Sequence, residues 1–104
     1  MMEIGRKLLK VRLGQLIEKY AGLEERIAGL NFEEAKELKI FLHLKRQESE
    51  MLETSIDQAQ DITPQTNEKF IETLHQLKRD FHIAHRKWQA LYPSQTRRRL
   101  TIAA

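Results

Sequence analysis

The sequence predicts an all-α protein: three long antiparallel helices in an up-down-up bundle, packed as in a coiled coil. Three observations predict this fold. Apolar residues recur at alternating spacings of four and three, two turn signals divide the 104 residues into three nearly equal parts, and good helix formers dominate the composition. We expect helices near residues 4–29, 32–60 and 64–92, which together form one domain over residues 1–93.

The first predicted helix carries an uninterrupted apolar series at the a and d positions of a heptad repeat. The series consists of Leu9, Leu13, Leu16, Tyr20, Leu23, Ile27 and Leu30. These positions share one face of a helix, here called the core face, which predicts that the side chains are buried. Gly14, Gly22 and Gly29 lie off this face, as surface positions or at a close approach of another helix. Each weakens the helix by up to about 1 kcal/mol relative to alanine.

The second predicted helix follows the turn at Gly29, with Asn31 as its N-cap and Glu34 reaching back in a variant of the capping box. Its core face contains Ala35, Leu38, Leu42, Leu52, Ile56 and Ala59, but the polar residues Lys45 and Ser49 interrupt the series.

This interruption has two interpretations. In the first, Lys45 extends along the surface, and Phe41, Leu44 and Met51 carry the packing on a shifted face. In the second, the polar stretch specifies the register or the oligomeric state of the bundle at some cost in stability.

The third predicted helix begins at Pro64, with Thr63 as its N-cap, because proline suits the first helical position. Its core face is again continuous and consists of Phe70, Leu74, Leu77, Phe81, Ala84, Trp88 and Leu91. Pro93 biases the preceding residue away from helical geometry, so the helix should end near residue 92.

Residues 94–104 contain no apolar repeat, which predicts a flexible, disordered basic tail. Arg97, Arg98 and Arg99 lie next to one another in this tail. Three adjacent arginines could contact nucleic acid or another anionic surface, or could serve only to keep the chain soluble.

Composition excludes several classes of protein. The chain has no cysteine, so it has no disulfide framework, no thiolate nucleophile and no cysteine-based zinc site. No apolar run is long enough to span a membrane, and the first residues lack the pattern of a signal peptide. We therefore expect a cytoplasmic protein.

The histidines and serines do not form a recognisable catalytic pattern. Glu72 and His75 make one E-x-x-H pair, but a carboxylate-bridged di-iron bundle needs two such pairs. His82 and His85 could share a surface metal ion with Asp80, although solvated histidines are the simpler interpretation. We expect no enzyme, no catalytic residue, no cofactor, no metal site and no small-molecule substrate.

The net charge of +3 conceals blocks of opposite sign. Residues 1–20 carry five basic and two acidic side chains, residues 21–61 five and ten, and residues 62–104 eight and three. Antiparallel packing would place Arg6, Lys7, Lys10 and Arg12 beside Glu50, Glu53, Asp57 and Asp61, and Arg86 and Lys87 beside Glu33, Glu34 and Glu37. The complementary blocks favour this topology, although an exposed pair stabilises by only about 0–1 kcal/mol.

These patterns favour a non-enzymatic helical module for protein–protein interaction, such as an adaptor, an assembly factor or a small chaperone. Apolar residues outside the core faces would form its contact surface, namely Leu8, Ile17, Ile40, Phe41, Leu44, Met51, Ile71 and Ile83. The partner would be another protein, a second copy of the chain, or both. A dimer is the simplest assembly that buries these residues.

In size, charge and helical content the chain is similar to the small export chaperones of flagellar and type III secretion systems. The likeness lies in architecture and not in a motif, and it implies a chaperone that binds another protein. Two alternatives remain open. The isoelectric point near 9.3 suits a protein that binds nucleic acid through the tail and the third helix. The chain could also be a structural subunit of a larger assembly.

Overall fold

The fold consists of three helices joined by short turns. A computed structural model describes the backbone of residues 2–103 and the side chains of residues 5–91. The helices are α1 (Met2–Ile27), α2 (Glu33–Gln58) and α3 (Pro64–Ala103), and the described chain contains no strand. Lys10 of α1 contacts Asp57 of α2, and Glu24 contacts Arg46, so α1 and α2 run antiparallel. The predicted all-α, three-helix arrangement is confirmed.

The core lies along the predicted core faces of all three helices. Fully or almost fully buried apolar residues are Leu9, Leu13, Leu16, Tyr20, Leu23 and Ile27 of α1, Ala35, Leu38, Leu42, Leu52 and Ile56 of α2, and Leu74, Leu77 and Ala84 of α3. Phe70, Phe81, Trp88 and Leu91 pack against them and are half-buried. Full burial of one such aliphatic side chain stabilises the fold by about 1.5–3 kcal/mol, so these faces provide most of the stability.

The core face of α2 continues through its two polar positions. Ser49 is fully buried, and its hydroxyl donates a hydrogen bond to the carbonyl of Lys45 at 2.8 Å. The Lys45 ammonium reaches Asp80 of α3, with 3.1 Å between Nζ and Oδ2. Both polar groups are satisfied in place, so the packing does not have to shift. Of the three residues expected to carry the packing on a shifted face, Phe41 packs against the core. The interpretation is wrong for Leu44 and Met51, because both are exposed.

The start of α2 and the end of α3 differ from the positions that the sequence predicts. Phe32, not Asn31, is the N-cap of α2, and no side chain caps it. Phe32 is partly buried against the core, which favours a helix start that keeps its ring in this contact. At α3 the predicted cap is confirmed, because the Thr63 hydroxyl accepts a hydrogen bond from the Thr66 N–H at 3.1 Å.

α3 extends past the expected end near residue 92, since a proline removes one hydrogen bond without always ending a helix. The side chains beyond Leu91 lie outside the described residues. The predicted tail over residues 94–104, with Arg97, Arg98 and Arg99, falls in that part of the chain.

Candidate interaction surfaces

Ion pairs join α2 to both of its neighbours. Lys10 of α1 binds Asp57 at 2.6 Å, Arg46 of α2 binds Glu24 of α1 at 2.7 Å, and Lys45 of α2 binds Asp80 of α3 at 3.1 Å. Within α2, Lys45 also binds Glu48, and Arg46 also binds Glu50. Every ion pair between described side chains therefore includes a residue of α2.

The pKa shifts of the two α2 cations reflect these contacts. Burial would lower the pKa of Lys45, but hydrogen bonds to Asp80 and Glu48 outweigh it and raise the pKa. Hydrogen bonds to Glu24 and Glu50 raise the pKa of Arg46. Both side chains therefore hold their charge more firmly than they would in water, as expected for cations that bridge neighbouring carboxylates.

Tyr20 links α1 to α3 at the middle of the bundle. Its hydroxyl donates a hydrogen bond to the carbonyl of Leu77 at 2.6 Å, and its ring meets Phe81 edge-on with 5.2 Å between ring centroids. Burial raises the pKa of the Tyr20 phenol, and the charges of Asp80 and Glu48 raise it further. Together with Lys45, these residues form a polar layer that contacts all three helices.

A groove runs between α1 and α3 on the side of the bundle away from α2. We call it the basic groove. Side chains along it are Leu8, Arg12, Gln15, Lys19 and Arg26 of α1 and Ile71, His75, Lys78, Phe81, His82 and His85 of α3. Leu9, Leu16, Leu23 and Leu74 also line it, so hydrophobic side chains run along the groove between polar and charged ones.

The basic groove carries unbalanced positive charge. Four cations line it, and Glu18 is the acidic residue beside them. Arg12, Lys19 and Lys78 make no ion pair with any described side chain. The fourth, Arg26, lies over the Trp88 ring, 5.6 Å from the centroid. The prediction that Arg12 would lie beside the acidic end of α2 is wrong, because its side chain lines this groove.

Two glycines leave space along the basic groove. Gly5 and Gly22 line it, and a methyl group added at either position would meet no atom within 4 Å. The described glycines are therefore not sites of close helix approach. Because Gly5 and Gly22 have no side chains, the surface of α1 does not project into the groove at these two positions.

A second surface lies on the outer side of α2. Ile40, Leu44 and Met51 are 63%, 51% and 70% exposed, and we call them the α2 stripe. Their spacing places them on one line of the helix, opposite the core face. Glu33, Glu37, Glu48 and Glu50 flank this line together with Lys36, and Lys39 and Lys45 adjoin Ile40 and Leu44. Glu48 and Glu50 form ion pairs with Lys45 and Arg46 of the same helix.

The other predicted contact residues are divided between core and surface. Ile17, Phe41 and Ile71 are half-buried against the core. Leu8, at the end of the basic groove, and Ile83, on α3, are about half exposed. Sequence reasoning missed Val11, which is 58% exposed. Its position away from the a and d sites of α1 is the signal that could have identified it.

The Phe41 ring contacts two lysine side chains in addition to the core. The ammonium groups of Lys45 and Lys87 lie 5.6 Å and 5.9 Å from its ring centroid. Such contacts stabilise by about 0.5–1 kcal/mol at partly exposed sites. Phe41 is therefore engaged within the bundle and is less available to a partner than the α2 stripe.

The acidic and histidine side chains do not gather into a metal site in the described part of the chain. Asp80, considered above with His82 and His85, instead binds Lys45 and accepts a hydrogen bond from Gln76 at 3.0 Å. His75, His82 and His85 all line the basic groove. Over the same residues, no helix is long and apolar enough to cross a membrane.

Comparison with known proteins finds no significant match to a family model, a curated protein or a solved structure.

Proposed function

We propose that this protein is a non-enzymatic, cytoplasmic helical module for protein–protein interaction, of the adaptor, assembly-factor or small-chaperone kind. The α2 stripe is the observation that carries the proposal. A helix that packs on one face has no structural need for three large apolar side chains on the opposite face. Exposed apolar side chains along one line of a helix, with polar residues such as Gln47 among them, are typical of a surface that another protein covers.

The energetics agree with a contact surface. Removing Ile40, Leu44 and Met51 from water would contribute roughly 1 kcal/mol each, given that about half or more of each side chain is exposed. The isolated protein does not gain this free energy, because the three side chains stay in water. It is gained when an amphipathic helix of a partner covers the stripe.

The test is a substitution of Leu44→Gln together with Met51→Gln, which removes the apolar surface and keeps good helix formers. The matched control is Val11→Gln with Ile83→Gln, which removes comparable exposed apolar surface elsewhere. We expect the first pair to abolish stoichiometric co-purification or self-association and to leave the melting temperature unchanged, whereas the control retains association. Association that survives the α2 substitutions would contradict the proposal.

Nucleic-acid binding is the second candidate, and the unpaired cations of the basic groove favour it. Arg12, Lys19 and Lys78 could contact phosphates, and the affinity would then fall steeply with salt. Fluorescence anisotropy with a labelled DNA duplex and a labelled single strand tests this candidate. A slope of log affinity against log salt near −3 that becomes shallower in Lys19→Gln and Lys78→Gln would support it. Binding that is weak already at low salt would exclude it.

A further inference from the structure

Two exposed surfaces of this protein complement each other in charge and in apolar character. We propose that the basic groove of one copy receives the α2 stripe of a second copy, so that the protein assembles head to tail. This inference rests on the proposed function and names its partner: the same chain.

Charge complementarity is the first argument. The basic groove carries Arg12, Lys19, Arg26 and Lys78 against one acidic residue, Glu18. The outer side of α2 has the opposite sign: Glu33 and Glu37 lie beside Lys36 and make no ion pair with a described side chain, and Glu48 and Glu50 pair with cations of their own helix. Opposite potentials of this kind favour the correct pairing and disfavour like-charged alternatives.

The bundle itself provides the second argument. α1 and α3 are both basic, and the acidic α2 joins them through ion pairs on one side only. On the other side the same two helices leave their cations without carboxylate partners among the described residues. Within the chain, acidic α2 lies against basic α1 and α3. The α2 of a second copy in the basic groove would place acidic side chains against the same two helices on their other side.

The third argument is the match of length. The α2 stripe spans residues 40–51, about 16 Å of helix at 1.5 Å per residue. The basic groove runs at least from Leu8 to Leu23, about 22 Å by the same measure, so it accommodates the whole stripe. Gly5 and Gly22 leave the open space that a closely approaching helix requires.

The two surfaces lie on opposite sides of the bundle, and this decides the kind of assembly. The α2 stripe points away from the bundle axis, whereas the basic groove lies beyond that axis, between α1 and α3. Each copy therefore offers one surface of each kind, and a contact between them leaves one of each free at the ends. Such a heterologous contact does not close on itself by two-fold symmetry, so the oligomers grow with concentration instead of stopping at a dimer.

Sedimentation velocity of the full chain over a range of concentrations is the first measurement. We expect the weight-average mass to rise steadily beyond that of a dimer. Raising NaCl from about 0.05 M to 0.5 M should shift the distribution towards the monomer, because the Debye length shortens and the groove cations are screened. A mass that stays at the monomer, or that stops at the dimer, would overturn the inference.

Complementation between two variants is the decisive experiment. The groove variant is Lys19→Glu with Lys78→Glu, and the stripe variant is Leu44→Gln with Met51→Gln. Each alone lacks one of the two surfaces and should be monomeric, with self-association weakened at least about tenfold. Mixed together they retain one intact surface each, and we expect a 1:1 heterodimer that does not grow further.

Matched controls separate this contact from general effects of charge and polarity. Lys7→Glu with Lys69→Glu makes the same charge change on α1 and α3 outside the basic groove, and Val11→Gln with Ile83→Gln removes other exposed apolar surface. Both controls should assemble like the wild type. A mixture of groove and stripe variants that stays monomeric would overturn head-to-tail pairing.

Failure of this inference is distinguishable from failure of the proposed function. If the wild type stays monomeric but the stripe variant loses a co-purifying protein, the interaction module stands and self-pairing is wrong. If the monomer instead binds DNA through Lys19 and Lys78, self-pairing is wrong and the basic groove is a phosphate-binding surface. The proposed function fails as well if no protein co-purifies through the α2 stripe.

Discussion

The two sides of the bundle are built differently. Where α2 meets α1 and α3, buried leucines are bordered by three ion pairs that join separate helices. Where α1 meets α3, Tyr20 supplies a hydrogen bond and a ring contact, but the cations along the groove form no ion pair with a described side chain. Two basic helices are thus held together by an acidic third helix. The α1–α3 side is consequently where added negative charge would be most favourable.

Substitutions in the apolar core, which both sides of the bundle share, should lower the free energy of unfolding most. Leu16 and Leu77 are almost fully buried, so replacing either with alanine should lower the free energy of unfolding by roughly 2–5 kcal/mol. Leu8→Ala is the matched control, because this leucine is about half exposed, and its loss should be below about 1 kcal/mol. Urea denaturation followed by circular dichroism measures both. A loss near zero at Leu16 and Leu77 would mean that the assigned core face is wrong.

The ion pair between Lys45 and Asp80 should give the next largest effect. The two side chains are 22% and 12% exposed, so Asp80→Ala leaves the partly buried Lys45 side chain with Glu48 and the Phe41 ring as its remaining partners. We expect a loss of about 1–3 kcal/mol, below the value for a fully buried pair. Asp57→Ala removes an exposed pair with Lys10 and should lower stability by no more than about 1 kcal/mol. Equal losses in the two variants would show that burial does not distinguish the pairs.

Tyr20→Phe removes the hydrogen bond that links α1 to Leu77 and keeps the ring. The loss near neutral pH should be about 0.5–1.5 kcal/mol. Because folding raises the pKa of Tyr20, the contribution of its protonated phenol is fully present below about pH 10, the ordinary tyrosine value, and is lost as the pH rises further. Thermal melts over this alkaline range should show a shallower decline for the variant. An unchanged alkaline profile would contradict the assigned role.

Lys78→Gln should give the smallest change in the free energy of unfolding, and this change should be an increase. Lys78 lines the same hollow as Arg12 and Lys19, so removing its charge relieves repulsion between α1 and α3. We expect stability to stay level or rise by up to about 0.5 kcal/mol at low ionic strength, with the difference disappearing in high salt. The control is Lys10→Gln, which loses the pair with Asp57. A loss of more than about 1 kcal/mol for Lys78→Gln would mean that this cation has a stabilising partner.

Much of the fold could be predicted from periodicity alone. Alternating spacings placed Leu13, Leu42 and Leu77 in the core, because any packed helix must bury its apolar line. The α2 stripe was also visible, since Ile40, Leu44 and Met51 fall outside that line. The start of α2 was less predictable, because the capping preference of Asn31 is a local signal and the packing of Phe32 against the core is a tertiary contact.

Local periodicity by itself determined which residues face inward in each helix, and short turns required consecutive helices to run antiparallel. Neither the periodicity nor the short turns decide on which side of α1 and α2 the third helix packs. A left-handed and a right-handed arrangement of the three helices bury the same heptad positions. In this protein Lys10 and Glu24 of α1 face α2, whereas Arg12 and Lys19 face α3. The opposite hand would exchange those neighbours. Tertiary packing alone therefore brought the cations of α1 and α3 together along one groove.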